Sequence, residues 1–84
     1  MGITNKFKEE FSIGITRNEL AEIADETRHH VLDGHSDAYG NVVFIASEED
    51  NIIDNGIMVL KGPDEKLYAK TEQDRDAVKE LLNL

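Results

Sequence analysis

The chain has 84 residues, 18 acids against nine Lys and Arg, a net charge of −9 and no cysteine. That length suits one acidic domain over 1–84, the missing cysteines exclude disulfides and thiolate zinc sites, and the acidity argues against direct binding to nucleic acid or an anionic membrane. The longest apolar run, Val42–Ala46, is far too short to span a bilayer, and Lys6, Lys8, Glu9 and Glu10 break up the amino-terminal stretch, so the expected setting is cytoplasmic.

In chain order, residues 4–15 admit two readings. Thr4–Phe11 can form a short helix with Phe7 and Phe11 on one side and Gly14 ending it, or Phe11, Ile13 and Ile15 can alternate along a strand. A helix over Arg17–Leu32 follows. Thr16 and Glu19 have capping-box spacing, and Ile15 with Leu20 has the spacing of a hydrophobic staple. Leu20, Ile23, Ala24, Thr27 and Val31 repeat at helical period as its buried stripe, and Gly34 stands where a left-handed terminator is wanted.

Residues His35–Asn41 read as a loop and Asn41–Ala46 as a strand rich in β-branched and aromatic side chains. Ser47–Gly56 can be one or two helical turns capped by Ser47, or Asn55-Gly56 can turn a hairpin; the helical turn is preferred. Ile57–Lys61 and Lys66–Lys70 form a hairpin about Gly62-Pro63-Asp64-Glu65, where proline fixes φ at the second turn position. Thr71 caps a last helix over 72–83, with Ala77, Val78, Leu81 and Leu82 inward. The expected class is α+β, an antiparallel sheet of about three strands packed against two main helices. Edges such as 42–46 or 66–70 could pair two copies into a homodimer, although Lys66 and Lys70 discourage strand addition.

The charges are sorted along the chain. Ten acids lie between Glu19 and Asp54 against one base, Arg28, so this segment carries the whole net charge of −9. Clustered like charge shapes a field that draws a cationic partner. On the expected helix Glu19, Glu22, Glu26, His29 and Asp33 fall on the face away from the apolar stripe. No lysine is interleaved with them, although like charges at i,i+4, as in Glu22–Glu26, destabilise a helix slightly. Asp25 lies beside this face, and Glu48, Glu49, Asp50 and Asp54 form a second acidic group. These nine acids, Glu19, Glu22, Asp25, Glu26, Asp33, Glu48, Glu49, Asp50 and Asp54, are the candidate partner-binding residues.

Other chemistries find less support. His29, His30, Asp33, His35 and Asp37 match no zinc spacing, and a calcium loop counted from Asp33 would put Ala38 at its glycine and Phe44 at its last ligand, so no metal is expected. There is no cysteine nucleophile and no Gly-rich phosphate loop, and the acids sit among other charges rather than in apolar pockets. Neither an enzyme nor a cofactor is expected.

Small size, absence of cysteine and acids gathered between residues 19 and 54 make the chain similar to the DNA-mimic proteins, many of them inhibitors encoded by bacteriophages. That resemblance implies an inhibitor that occupies the nucleic-acid-binding surface of a basic host protein, such as a nucleoid protein of the HU type, without binding nucleic acid itself. The alternative is a general protein-interaction module whose contact face is apolar or mixed.

Overall fold

The computed structural model describes residues 11–37 and 40–84. The short helix considered over Thr4–Phe11 lies outside the described residues except for Phe11. From Ser12 to Thr16 the chain is strand β1, as the Phe11-Ile13-Ile15 alternation allows. Helix α1 (Arg17–Thr27) follows directly, opened by the expected box: the Glu19 amide donates to Thr16 Oγ1 at 3.2 Å and the Thr16 amide donates to Glu19 Oε1 at 3.1 Å.

The helix is five residues shorter than its periodicity predicts. Arg28 adopts a left-handed conformation, φ 61° and ψ 49°, its N–H donates to the Ala24 carbonyl, and the chain leaves as strand β2 (His29–Asp37). Gly34 is therefore a strand residue rather than a helix terminator, and 35–37 are strand rather than loop. The cause is tertiary. Strand β3 (Gly40–Ser47) has strand β4 (Ile57–Lys61) on one side only, and β2 satisfies its other edge in antiparallel register, His29 opposite Ser47 and Val31 opposite Ile45. Val31 packs against the core in its strand setting, so the apolar pattern alone does not separate the two structures.

After β3, a turn at Glu48–Asp50 leads to the four-residue helix α2 (Ile52–Asn55). The preferred helical turn is present, but its cap is Asn51, whose side chain accepts from the Ile53 amide at 2.9 Å, and not Ser47. A Cβ on Gly56 would lie 2.3 Å from the Ile52 carbonyl oxygen, so the close exit from α2 requires glycine. β4 and β5 (Lys66–Tyr68) form the expected hairpin, with Glu65 at positive φ ending its turn. Thr71 caps helix α3 (Glu72–Leu82) through the Asp74 amide.

The class is α+β; among the described residues there are five antiparallel strands in the order β1-β5-β4-β3-β2 rather than about three, and α2 is added to the two main helices. The segments 42–46 and 66–70 are not edges: β3 lies between β4 and β2, and β5 between β4 and β1. Helices α1 and α3 cover one face. Leu20, Val78 and Leu82 meet Ile13, Val43, Ile45, Val59, Leu67 and Ala69 there. Val42, Leu60 and Tyr68 cluster on the opposite face with Phe44 and Met58 beside them. No helix among the described residues is long and apolar enough to cross a membrane.

Candidate functional site

Burying Leu20 and Ala24 aims the other side of α1 at solvent, and Glu19, Glu22, Asp25 and Glu26 are all exposed on it. At about 100° per residue they fit an arc of about 120° opposite the buried stripe, over about 10 Å of axial rise. Four carboxylates in that rise approach the axial density of one DNA strand, a phosphate per about 3.4 Å. Glu19 is partly committed to the capping box. Glu22, Asp25 and Glu26 have no ion-pair partner among the described residues.

The second acidic group is brought to the far end of the same helix. The Glu48 amide donates to the Arg28 carbonyl at 3.0 Å, and Arg28 Nε approaches Glu48 Oε2 at 3.5 Å. Thr27, Arg28, Ser47, Glu48 and Glu49 line a polar hollow of about 240 Å³ between them. Both ends of the Arg28–Glu48 pair are exposed, so it contributes little to stability and leaves most of the acidic field intact. Glu49 and Asp50 project from this turn, and Asp54 is exposed on α2.

Asp33 does not belong to the array. The predicted stripe Glu19-Glu22-Glu26-His29-Asp33 needs a helix that continues past Thr27, and the turn at Arg28 breaks it after Glu26. On β2, Asp33 accepts from Arg17 Nε and Nη2, each at 3.0 Å. Hydrogen bonding to this guanidinium holds the Asp33 carboxyl below the usual carboxylate range, against partial desolvation, with the charges of Arg17 and Lys61 adding in the same direction. The pair ties the first turn of α1 to the sheet. Nothing in the charge pattern marks it, because Arg17 lies just outside the acidic segment.

A depressed aspartate stabilises the fold above its unfolded value, near 4, and the gain is lost as pH falls through the lower folded value. Because the Asp33 side chain is 61% exposed, Asp33→Asn is expected to cost under about 1 kcal/mol at pH 7. In urea unfolding followed against pH, the gap to the unmodified chain should close as pH falls through the lowered folded value. A gap of the same size at pH 2 would assign the effect to packing instead.

The histidines are also placed differently from the expected helix end. His29 Nδ1 lies 2.7 Å from Thr27 Oγ1 and His30 Nε2 lies 3.0 Å from the Asp50 carbonyl oxygen, fastening the start of β2 to α1 and to the acidic turn. Sequence reasoning misses a second surface. On the face without α1 and α3, Leu32, Gly34, Val42, Phe44, Ile53 and Met58 line an apolar groove of about 740 Å³. Its signal is the pair of long apolar side chains left exposed, Leu32 at 44% and Ile53 at 81%.

Comparison with protein-family models, with curated proteins and with solved structures finds no match for the chain.

Proposed function

We propose that the protein is an acidic inhibitor that binds a basic DNA-binding protein, of which an HU-type nucleoid protein is the favoured example, and occupies the surface that would otherwise hold nucleic acid. The observation that carries this reading is the outer face of α1, where Glu19, Glu22, Asp25 and Glu26 are exposed together and Glu22, Asp25 and Glu26 have no ion-pair partner among the described residues. The Glu48–Asp50 turn extends the same negative field past the helix end. Lysine and arginine side chains that hold phosphate by charge and by N–H donation meet carboxylates here instead. The reading invokes no catalytic step and no cofactor. Asp33, engaged by Arg17, is left out of the contact set, and Asp54 is peripheral to it.

A second reading, contact through an apolar face, draws on the groove beside Leu32 and Ile53. Salt separates the two. The charged contact should release its partner early in a rising salt gradient after capture from bacterial lysate, and the apolar contact should hold. Capture that is indifferent to salt would set the inhibitor reading aside.

A further inference from the structure

Strand β2 forms one margin of the sheet: β3 lies on one side of it, and no described strand lies on the other. Its nine residues make an edge about 30 Å long at ~3.3 Å per residue. Natural edges are usually blunted by lysine, proline, shortness or a bulge. β2 has no lysine and no proline, and its one bulge, between Asp33 and Ser36, leaves the stretch His29–Asp33 regular. The opposite margin, β1, is five residues long, shifts register between Ser12 and Thr16, and carries Gly14 at φ 88°. β2 is the better template for another strand.

Charge selects what adds to it. A cationic partner is drawn to α1 and the Glu48–Asp50 turn. β2 instead holds all three of the chain's histidines and only two acids, one of which, Asp33, is already paired with Arg17. A second copy meets fewer unpaired acids along this strand than along α1 or the Glu48–Asp50 turn, which adjoins only its start. Leu32, 44% exposed beside the apolar groove, gives that copy something to bury.

We infer that two copies of the chain join antiparallel through β2, about a two-fold axis perpendicular to the sheet, and make one continuous ten-stranded sheet. Symmetry limits the register. Residues opposite one another in an antiparallel pair point to the same face, and such an axis preserves faces, so one residue must lie opposite its own copy. Centring on Leu32 places the exposed leucines together and sets Val31 against the partner's Asp33, keeping the two Asp33 side chains from facing each other directly. It also brings the two apolar grooves to adjoining positions on one face. An edge of this length buries an area at the low end for specific interfaces, so the dimer is to be sought at high protein concentration. The inference stands apart from the inhibitor reading, since it uses a different surface.

The test uses mass and cross-linking. At about 100 µM, sedimentation equilibrium should give about twice 9.4 kDa. The chain has no cysteine, so Leu32→Cys introduces a single thiol, and opposed Cα atoms at about 4.5–5.5 Å are within disulfide reach. Under mild oxidation Leu32→Cys should form covalent dimer at least about tenfold faster than Glu80→Cys, whose thiol would sit exposed on α3 and meet its copy only by collision. A mass of 9.4 kDa at every concentration overturns the dimer. A dimer whose Leu32→Cys form cross-links no faster than the Glu80→Cys form overturns the β2 interface.

Discussion

Reversing Glu22 and Glu26 to lysine together is expected to abolish capture of the basic partner while the domain stays folded. The double change moves the net charge from −9 to −5 and places two cations in the centre of the proposed contact. Each lysine then opposes a partner cation that had been attracted, and like-charge contacts of this kind cost several kcal/mol in an interface. Neither carboxylate is part of the core or of an ion pair among the described residues, and lysine is as good a helix former as glutamate. A cation at position 26, near the carboxyl end of α1, also suits the helix dipole better than an anion does. Circular dichroism and the urea midpoint should therefore change little. Retained capture with an unchanged spectrum would mean that the contact lies elsewhere.

Leu20→Ala is expected to lower the unfolding free energy by about 2–4 kcal/mol. Leu20 has no exposed surface and lies where α1 meets the sheet, in the cluster with Val43, Ile45, Val59 and Val78. Truncation removes the leucine's transfer free energy and leaves a cavity among side chains that two helices and five strands already constrain. A domain of this length has a total stability of only about 4–8 kcal/mol, so one substitution can bring it close to unfolding. Ile23 is only partly buried and should cost less when truncated. Urea denaturation measures both. A loss below about 0.5 kcal/mol at Leu20 would be that of a surface site, and the acidic side of α1 could then not be taken as its outer side.

These two results rest on the parts of the fold that local signals encode. The start of α1 was legible because a capping box and a buried stripe act within a few residues, and the hairpin at 62–65 and the Thr71 cap were legible for the same reason. The end of α1 was not. Val31 is apolar and packs against the core from a strand as it would from a helix, Arg28 carries no glycine-like mark of its left-handed turn, and the reward for strand comes from β3, more than ten residues away. That one misreading extended the acidic stripe to His29 and Asp33, hid the ion pair with Arg17 and removed β2 from the expected sheet, while β1 was lost to the two readings open at 4–15. The cluster on α1 survives it because Glu19, Glu22, Asp25 and Glu26 all precede Arg28. The proximity of the Glu48–Asp50 turn to α1 depends on the β2–β3 register, which no local pattern specifies.

The central claim is that the acidic side of the molecule stands in for nucleic acid. A mobility-shift titration with an HU-type nucleoid protein and a short DNA duplex tests it most directly. Adding the protein to the preformed complex at low salt should return the duplex to its free position, in proportion to the amount added, with the charge-reversed Glu22→Lys, Glu26→Lys form inert as the control. The protein alone should leave the duplex unshifted. A DNA complex that persists under excess protein would contradict inhibition of this target, and a duplex retarded by the protein alone would contradict mimicry itself.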